Sequence, residues 1–283
     1  MLLISAAAGY LAWKVLRPRY DFRGRNVLIT GGSRGLGLVM ARQLAVRGAR
    51  LGLMARDEVE LFRAVKELKR RGATVSATVG DLKDRTDIRR FISESRGNLG
   101  PVDVLINNAG VIGVGPLETM TEADFDVALR THFWATLYTT LEVIPEMKSR
   151  GAGRILNIAS FGGKIAVPHM LPYTASKFAQ VGLSNGLRAE LARFGIVVTT
   201  VCPGLMRTGG HSNAEFKGQN EQERDQNRRF TGIRTATRSS KVRTNRSTPG
   251  SRLPMRRPAC RSVRKQPPEL RWRHVLAAMR RSF

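Results

Sequence analysis

The chain has 283 residues, with 48 Lys+Arg against 22 Asp+Glu and a formal net charge of +26. That length allows one large or two modest domains, and a hydrophobic content of 42% excludes a wholly disordered chain. Two cysteines, Cys202 and Cys260, exclude a disulfide framework and a Cys-rich zinc site, and fit a reducing compartment.

The charge is unevenly placed. Residues 1–210 carry a net +12, whereas residues 211–283 carry a net +14 on 19 Lys+Arg and 5 Asp+Glu. The two stretches are different kinds of sequence.

Residues 1–20 form an apolar segment. Met1 to Leu16 is interrupted only by Ser5 and Lys14, and Arg17, Arg19, Arg23 and Arg25 follow, with Pro18 stopping any helix. A helix of ~16 residues spans about 24 Å, short of the ~30 Å hydrocarbon core. The basic residues follow the apolar run, which is the wrong polarity for a secretory signal. The order suits an anchor that leaves the body of a cytoplasmic protein on the cytoplasmic face of a membrane. The alternative is a helix packed on the domain or on a partner subunit.

Residues 21–210 alternate short apolar runs with amphipathic segments, the pattern of a Rossmann-like, doubly wound parallel α/β sheet. Strands are expected at Asn26–Thr30, Arg50–Ala55, Thr74–Gly80, Val102–Asn107, Arg154–Ala159 and Ile196–Cys202, and helices include Gly37–Arg47, Glu58–Arg71 and Asp84–Arg96. In Glu58–Arg71 the apolar Leu61, Val65 and Leu68 recur at helical spacing while Arg63, Lys66, Glu67 and Lys69 fill the other face. A ligand of such a sheet lies at the carboxyl ends of the strands.

The first strand runs into Thr30-Gly31-Gly32-Ser33-Arg34-Gly35-Leu36-Gly37. Glycines there permit a tight turn and let backbone N–H groups approach a pyrophosphate at a helix N-terminus. Together with Asn107-Asn108-Ala109-Gly110, Ser160, Tyr173-Thr174-Ala175-Ser176-Lys177 and Pro203-Gly204, this order of motifs resembles the short-chain dehydrogenase/reductase family over about residues 25–208.

The resemblance implies hydride transfer between a nicotinamide cofactor and a small carbonyl or alcohol substrate. Tyr173 would be the acid/base, Lys177 would tune it and hold the ribose, and Ser160 would orient the substrate oxygen. Tyr173 and Lys177, four apart, share one helical face, and an ammonium nearby would favour the phenolate. Where most members carry a catalytic Asn in a water relay to the lysine, this chain has His132. A neutral imidazole could substitute, because it donates at one nitrogen and accepts at the other. The other reading is a histidine that packs beside Phe133 and Trp134.

For the cofactor, the resemblance places Gly31, Ser33, Arg34, Gly35, Leu36 and Gly37 around the pyrophosphate and Asp81-Leu82 beside the adenine. Asn107, Ala109 and Gly110 would line the cleft, with Tyr173 and Lys177 at the ribose. Pro203, Gly204 and Thr208 would meet the nicotinamide end. Arg34 and Arg56 offer two guanidiniums where a 2′-phosphate would lie, favouring NADP over NAD, with Asp57 as a counter-signal. No metal site is indicated. Homo-oligomers are common in the family.

Residues 211–268 depart from the family pattern. Leu, Ile, Val and Phe number 6 among these 58 residues, a disordered composition. Residues 269–283 read as a short helix, and the fold is expected to lack the family's usual last strand. Three readings stand: a basic arm for RNA, DNA or anionic lipid on an idle scaffold; a frame-disrupted remnant of an ordinary reductase; or a lid that orders with substrate. Trp272 is the one aromatic suited to stacking there besides Phe, which disfavours nucleic acid.

Overall fold

The computed structural model describes residues 20–204, 206 and 214–218. Residues 1–19, the stretch from 219 onward with its proposed tail and short helix, and Thr208 lie outside the described residues.

In chain order the elements are β1 (Asn26–Thr30), α1 (Gly35–Val46), β2 (Arg50–Ala55), α2 (Glu58–Arg70), β3 (Val75–Val79), α3 (Arg85–Leu99), β4 (Val104–Asn107) and β5 (Gly113–Val114). There follow α4 (Glu122–Leu129), a π-helical turn Arg130–Trp134, α5 (Ala135–Ser149), β6 (Gly153–Ile158), α6 (Leu171–Leu191), β7 (Ile196–Val201) and β8 (Glu215–Phe216). Six strands pair in parallel in the order β3-β2-β1-β4-β6-β7. The order reverses between β1 and β4, and that switch point is where a doubly wound sheet opens a crevice for ligand.

Helices cover both faces, so strand residues that alternate in direction are apolar in both. Val27, Ile29, Leu51, Leu53, Val104 and Ile106 join one hydrophobic cluster with Met40, Leu44, Leu61 and Leu68 from α1 and α2. Leu28, Leu105 and Ile155 point the other way, into a second cluster with Ile88, Phe91, Val143 and Met147. The Asp57 carboxylate accepts from Glu60 N at 2.8 Å and caps α2, and Asp84 caps α3 through Thr86 N at 2.7 Å. The expected strands all form, differing from the sequence reading only at their ends. β4 starts at Val104, two residues later than expected; just before it Asp103 N donates to Asn26 O at 3.0 Å and its carboxylate accepts from Asn26 N at 2.9 Å.

One short pairing was not legible beforehand. β8 lies parallel to β5, with Glu215 N donating to Ile112 O at 2.9 Å and Lys217 N to Val114 O at 2.8 Å. Residues 214–218 belong to the stretch expected to be disordered, yet backbone pairing and a 2.6 Å Lys217–Asp124 ion pair hold them. Among the described residues no helix is long and apolar enough to cross a membrane.

Candidate active site

The crevice begins with two loops clasped together. Thr30 Oγ1, at the end of β1, accepts from Asn108 N at 3.0 Å and Ala109 N at 3.2 Å. Asn108 Nδ2 returns bonds to Thr30 O and Gly31 O, both at 3.1 Å. Neither Thr30 nor Asn108 was singled out by the motif reading. Their place at the ends of two strands flanking a switch point is the signal that could have found them.

The Gly-rich turn then leads into α1. Gly31 (φ 66°) and Gly35 (φ 55°) occupy the left-handed region that favours glycine. Gly37 is needed for a different reason: a Cβ there would sit 2.1 Å from Gly31 O and 2.6 Å from Asn108 Nδ2. Arg34 precedes the helix without a side-chain cap, and no acidic residue lies in the first turn. The first N–H groups of α1 are thus left to an anion, and the turn fits a dinucleotide pyrophosphate. Ser33 and Leu36 are buried within the turn.

The neighbouring cofactor positions are more mixed. Arg34 Nη1 reaches Glu60 on α2 at 3.1 Å, so its guanidinium already has a carboxylate partner. Arg56 is exposed just beyond β2. Asp57, the counter-signal to NADP, is engaged in capping α2. The Asp81 carboxylate accepts from Lys83 N at 2.9 Å, and Leu82 is buried in the core. Asn107 does not present its side chain to the cleft. Its Nδ2 donates to Asn157 Oδ1 at 2.9 Å and its Oδ1 accepts from Thr139 Oγ1 at 2.7 Å, inside the sheet–helix interface. Gly110 lies against the site: a Cβ there would be 3.1 Å from His132 Nε2 and 3.9 Å from Lys177 Nζ.

The side chains expected to be catalytic come from the end of β6, α6 and the π turn. Ser160 follows β6; its Oγ accepts from Gly162 N at 3.1 Å and faces the Tyr173 phenol. Tyr173 and Lys177 stand on α6, with Lys177 Nζ 5.9 Å from the centre of the tyrosine ring. Pro203 O accepts from Phe161 N at 2.9 Å, which ties the end of β7 to the serine loop, and Gly204 is exposed beside it. The structure therefore brings Ser160, Tyr173, Lys177, His132 and Gly110 together.

The electrostatics depart from the sequence expectation. Burial raises the Tyr173 phenol above its ordinary 10.0, and the facing Ser160 hydroxyl only partly opposes it. Lys177 is itself buried, and loss of water lowers its ammonium to about 7. A lysine half-discharged near neutrality is a weak lever on a phenol whose own desolvation dominates. Burial, then the Lys177 charge, hold His132 well below its ordinary 6.5. The ring is neutral at working pH.

Both nitrogens of that ring are in use. Nε2 accepts from Val111 N at 3.1 Å. Nδ1 lies 2.8 Å from Ser176 Oγ, whose proton goes to Tyr173 O at 2.8 Å. An acceptor at Nε2 requires the proton at Nδ1, so His132 donates to Ser176. The imidazole ties the Gly110–Val111 loop to the helix of Tyr173 and packs edge-on to the phenol at 5.5 Å between ring centres. It is not placed as a hydrogen-bond partner of Lys177.

A surface hollow of about 260 Å³ opens elsewhere, lined by Lys83, Arg130, Trp134 and Tyr138. Lys83 is paired with Asp81 and Arg130 with Asp126. Its lining includes none of the catalytic residues expected from the sequence, which gather in the crevice beside Tyr173.

Comparison with known proteins agrees with this geometry. A family model described as short chain dehydrogenase matches residues 25–218. The chain is 43% identical over 183 residues to a granaticin polyketide synthase putative ketoacyl reductase of Streptomyces violaceoruber, covering 64% of this chain and 67% of that protein. It is 33% identical over 189 residues to gluconate 5-dehydrogenase of Gluconobacter oxydans, covering 67% and 74%. A solved gluconate 5-dehydrogenase from Burkholderia cenocepacia, in complex with NADP and tartrate, superposes with a TM-score of 0.63 at 33% identity over 68% of this chain and 76% of that one. The chain belongs to the short-chain dehydrogenase family of oxidoreductases.

Proposed function

We propose that the protein transfers hydride between NADP(H) and a small carbonyl or alcohol substrate by a Ser160–Tyr173–Lys177 mechanism. The observation that carries this is the half-buried Tyr173 phenol set against Ser160, beside a buried Lys177 on the next turn of α6. When bound, the nicotinamide dinucleotide supplies or takes the hydride. Tyr173 moves the proton at the substrate oxygen, and Ser160 orients that oxygen. Lys177 keeps one N–H for the ribose, since two are directed to Ile158 O and Gln180 Oε1. His132 acts by holding the Val111 loop and α6 in register.

NADP is favoured by Arg34 and Arg56 near the 2′ position, and by the NADP complex of a relative at 33% identity. Arg34 would exchange Glu60 for phosphate. Phe161, Ile165 and Leu171, exposed on the segment joining Ser160 to Tyr173, give the substrate an apolar wall. Val127, Trp134 and Leu141 are exposed at seven-residue spacing along α4–α5 and suit contact with a further copy of the chain.

The test is a titration with NADPH and with NADH in about 0.3 M salt, where loose attraction to basic segments is screened. Saturable binding with NADPH well ahead of NADH is expected. Equal affinity would remove the NADP assignment. Binding of neither would remove the enzyme reading and favour the impaired-remnant alternative, in which the third of the ketoacyl reductase left unmatched here is indispensable.

A further inference from the structure

Lys177 raises a physical difficulty. Its side chain is 3% exposed, and no carboxylate lies within ion-pair distance of it among the described residues. A buried, unpaired ammonium is costly, and a lysine so placed is readily discharged. The groups facing it are Tyr173 on its own helix, His132 on the π turn, and Cys202 at the end of β7. None of them supplies a negative charge at neutral pH.

The compensation is an uncharged chain of hydrogen bonds. Beside its bond to Ile158 O at 3.1 Å, Lys177 Nζ donates to Gln180 Oε1 at 2.9 Å. Gln180 Nε2 donates to Thr136 Oγ1 at 2.9 Å, and Thr136 Oγ1 donates to His132 O at 2.7 Å. The direction is forced. An ammonium only donates, so the amide must turn its oxygen to Lys177. The Thr136 hydrogen is committed to the carbonyl, so the hydroxyl must accept from the amide nitrogen. Three donors thus point the same way, from Lys177 to the backbone of the π turn, and bonds in such a series polarise one another. Gln180 is 1% exposed and Thr136 3% exposed. The last bond is the i to i−4 contact that a helical threonine commonly makes with a carbonyl one turn back, as Thr139 does with Ala135 O.

We propose that Gln180 is a positioning residue for Lys177: its fixed amide oxygen stabilises the ammonium and aims the remaining N–H into the cofactor crevice, with Thr136 and the His132 carbonyl anchoring the amide. Side chains here do what the family resemblance assigns to water in a relay toward the lysine. The inference rests on Lys177 serving the proposed mechanism, but its test reads the lysine directly.

The experiment is an NMR titration of the unliganded protein with ¹³Cε-labelled lysine, Lys177 being assigned by its loss in Lys177→Met. Gln180→Leu, which keeps bulk and removes the acceptor, should lower the Lys177 midpoint by about one pH unit, a tenfold change. Gln180→Glu should raise it by at least as much. The alcohol-oxidation pH profile of kcat/KM should move in each variant, and Gln180→Asn should not restore it, since one methylene less withdraws the amide. Midpoints unchanged in both variants would overturn the proposal, even if turnover fell. Should Gln180→Leu fail to fold, Gln180→Glu alone decides, because a raised midpoint there requires the contact with Lys177. A shifted midpoint without any catalytic activity in the parent would uphold the contact and sink the reductase reading instead.

Discussion

The two halves of the sheet bury different kinds of residue. Around β1, β2 and β3 the core is mainly aliphatic, with Val27, Ile29, Leu51, Leu53, Leu61 and Leu68 all fully buried and Asn26, Thr30, Ser76, Thr78 and Ser95 as its buried polar members. Between β4, β6, β7, α5 and α6 it contains amides and hydroxyls bonded to one another. Asn107 bridges Asn157 and Thr139, Asn157 donates to Ser184 at 2.9 Å, and Thr200 donates to Ser184 at 2.7 Å. The first half offers a ligand its backbone: a glycine turn and a helix N-terminus. The second offers side chains that must point one way. Apolar packing fixes shape well but orientation poorly, whereas a satisfied polar network fixes both, provided each member keeps its partner.

Variants can break this contrast. Tyr173→Phe removes the proton donor and nothing from the glycine turn, so turnover should fall by about 10²–10⁴-fold while NADPH affinity stays. Paired kinetic and equilibrium measurements would show it; a loss of both would mean the halves are not separable. Gly37→Ala does the reverse. Its methyl would collide with the Gly31 carbonyl and with Asn108 Nδ2, neither of which can swing away. Overpacking there should cost roughly 1–3 kcal/mol in urea unfolding and weaken cofactor binding. If Gly37→Ala binds NADPH like the parent, the turn is not the pyrophosphate cradle.

Asn157→Ala probes the polar half. It strips the 2.9 Å partner from Asn107 Nδ2 and leaves a hollow beside Ser184, for a cost of about 1–3 kcal/mol. A neutral result in denaturant titration would show that water or a shifted hydroxyl replaces the amide. The finest difference is in pH dependence. Unfolded, Lys177 takes up its proton below 10.5; folded, only below about 7. Between those values the unfolded chain binds more protons, so this group makes stability rise with pH, by up to ~1.4 kcal/mol per unit. Lys177→Met should flatten that rise between about pH 7.5 and about pH 9.5. Parallel slopes in parent and variant would mean that the lysine is hydrated when folded.

Much of the sheet was legible because strand and helix periods are local. β1 and β2 coincide with the apolar runs that announced them, and the stripe of Leu61, Val65 and Leu68 is the buried face of α2. The Tyr173–Lys177 spacing also carried through, since a four-residue separation on a helix fixes one face. The roles of polar residues were less legible. Asn107 belongs to the interior and Arg34 is joined to Glu60, because each is claimed by a neighbour remote in sequence, while Asp57 is claimed by the start of its own helix. β8 was missed for the same reason: its partner β5 is about a hundred residues away, and two-residue pairing leaves no periodic trace.

Short-range spacing therefore carried the parallel α/β architecture, the glycine turn and the shared helical face of Tyr173 and Lys177, whereas Ser160 came from the family resemblance. The tertiary structure decided the charge states and partners: a phenol raised by burial, a lysine lowered to about 7, and a histidine neutral between Val111 and Ser176. It also revealed Gln180 and Thr136 as the lysine's support. Desolvation and hydrogen-bond direction depend on what closes over a side chain. Strands and helices distant along the chain supply that cover only when the fold is complete.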